Sequence, residues 1–212
     1  MPRYRLIIFD SDGTLADTLP WMRSVFNEIA DVHGLRRVHE REHEQLRDLH
    51  GKALLKALGL PLWKVPRVAN AMRARMAQHV GTFALFPGIG DGLRGLSSRG
   101  VLLAVVSSNS RANVERVLGP DHAPLIARYE CGVSLFGKAA KIRSVVRALK
   151  VTPAEALYVG DEIRDAEAAR EAGIAFGAVA WGQCSEAALR AQLPQEFFNV
   201  AEDIAALASA TE

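Results

Sequence analysis

Short apolar runs alternate along this chain with segments whose apolar residues recur every three or four positions. Tyr4–Phe9, Val101–Ser107, Ala156–Val159 and Ile174–Ala180 are rich in Val, Ile, Leu and aromatics. Most are bounded by Gly or charge, the pattern of strands buried on both faces. Between them, Gly90–Ser98, Arg111–Leu118, Ala139–Leu149 and Asp165–Ala172 carry helical patterns. Strand and helix in strict alternation predict a doubly wound α/β core around a parallel sheet. Weaker strands are expected near Arg128–Gly132 and Phe197–Val200.

The rhythm breaks between the first two strands. From about Thr18 to Phe83 the spacing is helical, with no convincing strand. Trp21, Val25, Ile29 and Val32 are expected to share one helix face, and Val68, Met72 and Met76 another. A helical run of this length is too long for one crossover. It predicts an inserted α-helical domain over residues 18–83, with residues 1–17 and 84–212 forming the core and Pro87-Gly88 marking the return to it.

Composition narrows the function classes without naming one. The 212 residues are 49% hydrophobic and 24% charged, enough for a real core, and a formal net charge of +2 gives no argument for nucleic acid. Two cysteines, Cys131 and Cys184, make no disulfide framework and read as reduced thiols. No apolar stretch approaches the ~18 residues of a membrane span, and the first residues lack the form of a signal peptide. A cytoplasmic protein without a membrane partner is expected, as a monomer or homodimer. Charge is uneven, however. From Asp17 to Ala84 eleven Lys or Arg face seven Asp or Glu, and five of the six histidines lie there. Such a surface is either simply solvated or a positive lid that draws an anion into a cleft.

The candidate chemistry sits where strands end. Asp10-Ser11-Asp12-Gly13-Thr14-Leu15 follows the first strand directly. Two carboxylates at i and i+2 can turn into one cleft, one to attack phosphorus and one to protonate the leaving oxygen. A calcium loop of the EF-hand type is excluded, because its twelfth position holds Trp21 instead of glutamate. The second strand ends in Ser107-Ser108-Asn109, whose hydroxyl and free N–H groups can bind phosphate oxygens. Gly137-Lys138 opens a helix, and its ammonium can offset both attacking carboxylate and phosphate. Lys141, one turn on, competes for that role. In Gly160-Asp161-Glu162-Ile163-Arg164-Asp165, the carboxylates at i and i+4 return to one side of a loop–helix junction. Asp161 suits a Mg²⁺ ligand, and Asp165 either a second ligand or a support behind the first.

Taken in order, these four segments resemble the motifs of the haloacid dehalogenase superfamily. The fit is best in the phosphoglycolate-phosphatase-like group, whose helical cap lies between motifs one and two. The resemblance implies a Rossmann-like core and a Mg²⁺-dependent phosphatase acting on a small phosphorylated metabolite. It makes Asp10 the nucleophile that becomes an aspartyl-phosphate, and Asp12 the general acid and base. Ser107 and Lys138 would hold phosphate, with Ser108 and Asn109 nearby. Metal would sit on Asp10, the Asp12 carbonyl, Asp161 and Asp165. Relatives often read Lys-Pro where this chain has Lys138-Ala139, which keeps Lys141 open.

The same resemblance bounds the alternatives. A phosphomutase uses the same core and remains the second reading. Dehalogenases of this kind lack the residue that Asp12 supplies, and phosphonate-cleaving relatives carry a lysine where Leu54 stands, three after Gly51. A receiver module has no such helical insertion. In the insertion, Leu49-His50-Gly51-Lys52-Ala53-Leu54 resembles the substrate loop of related caps, which makes Lys52 a candidate substrate-binding residue.

Overall fold

The computed structural model describes residues 3–132 and 137–208. Six parallel strands form one sheet: β1 (Leu6–Phe9), β2 (Leu102–Val106), β3 (Ile126–Glu130), β4 (Ala156–Gly160), β5 (Ala175–Val179) and β6 (Glu196–Phe198). Their order is β3-β2-β1-β4-β5-β6. That is the doubly wound Rossmann order, in which the chain leaves β1 to one side and later returns to the other. The crevice above the carboxyl ends of β1 and β4 is therefore the topological switch point, where such sheets place their ligands.

The continuous apolar runs follow from burial on both faces. In β1, Leu6 and Ile8 face one layer while Ile7 and Phe9 face the other, all four fully buried. Helices α7 (Lys138–Ala148) and α8 (Ile163–Ala172) cover the first layer through Ile142, Val145 and Ala169. Helix α5 (Ile89–Ser98), helix α6 (Arg111–His122) and the segment Ala201–Ala208 cover the second, through Leu93, Leu96, Val114 and Ile204. The two weaker strands exist, but β3 starts two residues before the expected run and β6 is only three residues long. Helix α6 continues past Leu118 through a kink at Gly119.

Between β1 and α5 lie α1 (Leu19–His33), α2 (His43–Leu46), α3 (Gly51–Ala57) and α4 (Val65–His79), and no strand. This is an inserted helical cap with its own small core of Ile29, Leu55, Leu60 and Val68. Pro20 opens α1, and Gly34 in the left-handed region closes it with its N–H on the Ala30 and Asp31 carbonyls. The expected α1 face needs a correction. Val25, Ile29 and Ala30 are buried, but Val32 is 79% exposed. The face turned inward is centred near Ile29 and Ala30, and Val32 falls off its edge. Trp21 packs on His79 and Phe83. The chain enters and leaves the cap side by side. Ala16 bridges Leu85 antiparallel, Asp17 donates to the Ala84 carbonyl and Phe86 to that of Leu15. Among the described residues no helix is long and apolar enough to cross a membrane.

Candidate active site

Asp10 follows the last residue of β1, with its N–H on the Val159 carbonyl of β4, so it emerges at the switch point. The chain then folds back: the Leu15 and Ala16 amides both donate to the Ser11 carbonyl. Gly13 makes this possible. Its φ is +79°, and a Cβ there would stand 2.3 Å from Asp161 Oδ2. The turn presents Asp10, buried, and Asp12, partly buried, to the same crevice.

Four carboxylates and one ammonium crowd this point. Lys138 Nζ donates to Asp10 Oδ2 at 2.7 Å and to Asp165 Oδ1 at 2.6 Å. Burial works against the ammonium, yet the two carboxylates push its pKa up to about 12, so it stays charged. Lys141 is elsewhere: half-exposed, it pairs with Glu130 on the surface at 2.9 Å. Asp165 Oδ2 accepts the Asp161 and Glu162 amides, so both of its oxygens are engaged at the start of α8. Asp161 is fully buried and held from two directions. Thr14 Oγ1 donates to Oδ1 at 2.7 Å, and the Gln183 amide to Oδ2 at 2.8 Å.

One oxygen from each of Asp10, Asp161 and Asp165 lies within 4.8 Å of the others. Burial, followed by the charges of Glu162, Asp165 and Asp10, raises the Asp161 pKa well above the usual carboxylate range. A single ammonium does not balance this set. Hard carboxylate oxygens converging with excess negative charge fit a small divalent cation such as Mg²⁺. The Asp12 carboxylate stands apart from that triad. It accepts from Thr18 Oγ1 at 2.9 Å and from Asn109 Nδ2 at 3.1 Å. Burial and the Asp10 charge push its pKa up to about 6, against the pull of those two donors. A carboxyl so poised can exchange protons near neutrality.

Ser107 is fully buried at the end of β2, its Oγ accepting the Asn109 amide at 3.1 Å. Ser108 meets the cap instead, where its carbonyl accepts from Arg73 of α4. Lys52 is exposed in the first turn of α3, outside this cluster. Its neighbour His50 reaches the core, with Nε2 3.3 Å from Glu167 of α8.

Several contributors escape a reading of the motifs alone. Thr18 and Asn113 hold the Asp12–Asn109 pair, Asn113 through the Asn109 amide oxygen at 2.9 Å. Arg164, one residue before Asp165, bonds Glu162 at 2.6 Å and turns its positive charge on Asp10 and Asp165. The loop after β5 closes one wall: Trp181 Nε1 donates to the Thr14 carbonyl, and Gly182 lies so close that a Cβ would stand 2.1 Å from the Asp161 Cβ. A glycine shortly after a strand was the available signal for that approach.

Comparison with known proteins agrees with this geometry. Residues 7–179 match the family model described as haloacid dehalogenase-like hydrolase. The chain is 34% identical over 199 residues to a phosphoglycolate phosphatase of Synechococcus elongatus, covering 93% of this chain and 94% of that one. It is 24% identical to an N-acetylmuramic acid 6-phosphate phosphatase of Pseudomonas aeruginosa, over 85% and 83% of the two chains. A haloacid dehalogenase-like family hydrolase from Streptococcus pneumoniae shares the fold, with a TM-score of 0.79 at 21% identity over 97% of this chain and 99% of that one. The parallel sheet, the inserted helical cap and the buried aspartates thus belong to one lineage, and the chain is a member of the haloacid dehalogenase-like hydrolases, in their phosphoglycolate-phosphatase-like group.

Proposed function

We propose that this protein is a Mg²⁺-dependent phosphatase that hydrolyses a small organic phosphomonoester through an aspartyl-phosphate on Asp10. The observation that carries the reading is the Asp10 carboxylate, buried at the switch point between Lys138 and the other two acids of the triad. Its two oxygens accept one hydrogen bond each, from Ser11 N–H and Lys138 Nζ, so lone pairs remain for attack.

In the first step an Asp10 oxygen bonds to phosphorus while the ester P–O bond breaks, and Asp12 gives its proton to the departing alkoxide. In the second, Asp12 takes a proton from water, whose oxygen bonds to phosphorus as the Asp10–phosphorus bond breaks. Inorganic phosphate leaves and both carboxyl groups return to their starting state. Lys138 and Ser107 hold negative charge on the phosphoryl oxygens throughout. Asp10 and Asp161 would hold Mg²⁺, which when bound supplies positive charge to bring an anionic phosphate against an anionic carboxylate. Asp165 serves by holding Lys138 and the Asp161 backbone.

The substrate we favour bears a second anionic group. Phosphoglycolate and N-acetylmuramic acid 6-phosphate, named for two relatives, each join a carboxylate to a phosphate. The cap's surplus of basic residues and the exposed Lys52 near the α8 contact suit such an anion. A panel of phosphorylated metabolites assayed with Mg²⁺ tests the reading. The best substrate should be a phosphate with a carboxylate, and Asp10→Asn should abolish turnover of every compound while the protein stays folded. Turnover by Asp10→Asn near the parent rate would overturn it.

A further inference from the structure

Another cap–core contact, apart from the one between Arg73 and Ser108, falls on residues Gln183 to Ser185 of the loop after β5. Arg47 and Asp48, between α2 and α3, make the contact. Arg47 donates Nε to the Gln183 carbonyl at 3.0 Å and Nη2 to the Cys184 carbonyl at 3.2 Å. Asp48 accepts the Ser185 amide and the Ser185 hydroxyl, both at 2.7 Å. Cys184 Sγ returns a contact to the Arg47 carbonyl at 3.4 Å. Arg23 of α1 reaches the Gln183 side chain at 3.4 Å.

That loop has a second attachment on its inner side. The Gln183 amide donates to Asp161 Oδ2 and the Cys184 amide to the Asp161 carbonyl. One peptide strand is therefore gripped from outside by an arginine–aspartate pair and from inside by the carboxylate proposed to bind metal. Charge-assisted bonds are the stronger kind and hold geometry closely. The loop's donors to Asp161 are backbone, so their direction is set only by what holds the loop.

We infer that Arg47 and Asp48 are positioning residues, which through loop 183–185 fix the orientation of the Asp161 carboxylate and complete the metal site when the cap is seated. The inference rests on Asp161 being a metal ligand, as proposed above. Neither residue touches the metal or the reacting atoms. Cap docking and cation binding then favour each other: a seated cap orients Asp161, and a bound cation steadies the loop that the cap grips.

Mn²⁺ binding to the whole protein, followed by electron paramagnetic resonance, reads this without turnover. Asp48→Ala and Arg47→Ala should each weaken Mn²⁺ binding about tenfold, the low end of what loss of a group behind a metal ligand costs. Asp48→Asn keeps an acceptor for the Ser185 amide and should fall between Asp48→Ala and the parent. Arg37→Ala, which breaks an exposed cap pair with Asp31, should bind as the parent does. Metal-free melting temperatures of all four variants report whether a loss comes from unfolding. Unchanged affinity in Asp48→Ala and Arg47→Ala, with Asp161→Asn weakened, overturns the inference and leaves the site assignment standing. Unchanged affinity in Asp161→Asn overturns the site assignment and the inference together.

Discussion

Asn109 donates its side-chain amide to the Asp12 carboxylate at 3.1 Å, and the direction of that amide is fixed from behind. Ser110 N–H and Asn113 Nδ2 both donate to Asn109 Oδ1, at 2.8 and 2.9 Å, which leaves the NH₂ facing Asp12. Asn109→Ala frees Asp12 from one of its two donors. Hydrogen bonds to charged groups contribute about 1.5–3 kcal/mol, so we expect kcat to fall by roughly ten- to a hundredfold with little change in KM. Stopped-flow or steady-state kinetics on the best substrate checks this, and a change confined to KM would place Asn109 on the substrate instead.

Lys138 is buried between two carboxylates, whereas Lys141 pairs at the surface. Removing one partner of a buried ion cluster costs about 3–5 kcal/mol because the remaining charges lose their balance. Lys138→Ala should therefore lower stability by that amount in urea unfolding of the metal-free protein, and abolish turnover. Lys141→Ala should stay within about 0.5 kcal/mol and near the parent rate. Comparable losses in the two variants would refute the distinct places assigned to them.

Acid carboxyls with raised pKa values give the metal-free protein a characteristic pH response. Folded Asp12 titrates near 6, above its usual value near 4. Between those pH values the folded chain holds more protons than the unfolded one, so this group's contribution to stability declines as pH rises through that window. Asp161 shifts in the same direction. A cation relieves the repulsion that proton loss creates. At about a hundred times its Kd, Mg²⁺ should stabilise by roughly 2.7 kcal/mol, or about 5–10 °C in Tm, at pH 7.5. At pH 5 protons compete for the same oxygens and the rise should shrink. Thermal scans at both pH values test this, and an equal rise at each would contradict it.

Gly182 leaves no room for a side chain beside Asp161. Gly182→Ala should cost about 1–3 kcal/mol by overpacking and weaken Mg²⁺ binding as the carboxylate is pushed aside. Gly173→Ala offers a contrast. Gly173 has a positive φ (+75°) but nothing within 4 Å of an added Cβ, so its cost should be purely conformational and Mg²⁺ affinity should not move. Calorimetric titration of the two variants separates the effects.

The sheet was legible because β1, β2, β4 and β5 are buried on both faces and so read as unbroken apolar runs. β3 and β6 lie at the edges, where partly exposed residues such as Arg128 and Glu196 dilute that signal and blur the boundaries. The acidic pairs were legible because each lies within five residues, a span over which a strand end dictates direction. What holds those acids was not. Arg47 and Gln183 are 136 positions apart, and Gln183 acts on Asp161 through its peptide N–H, which every residue but proline possesses. Val32 failed for a related reason: helical spacing names a face without saying which way the partner helix will lie.

The bridge between Ala16 and Leu85 bears on how this chain can be redesigned. Because both ends of the helical insert are stitched together before it begins, the core meets it as it would meet a hairpin, through two neighbouring points. Closing such a gap costs little loop entropy whatever its length, since that cost grows only with the logarithm of the residues spanned. The insert is thus a cassette. Transplanting one of different size at Asp17 and Ala84 should leave the sheet and its strand order in place, whereas the Asp12 and Asp161 carboxylates would need replacements for Thr18, Arg47 and Asp48, which leave with the old insert.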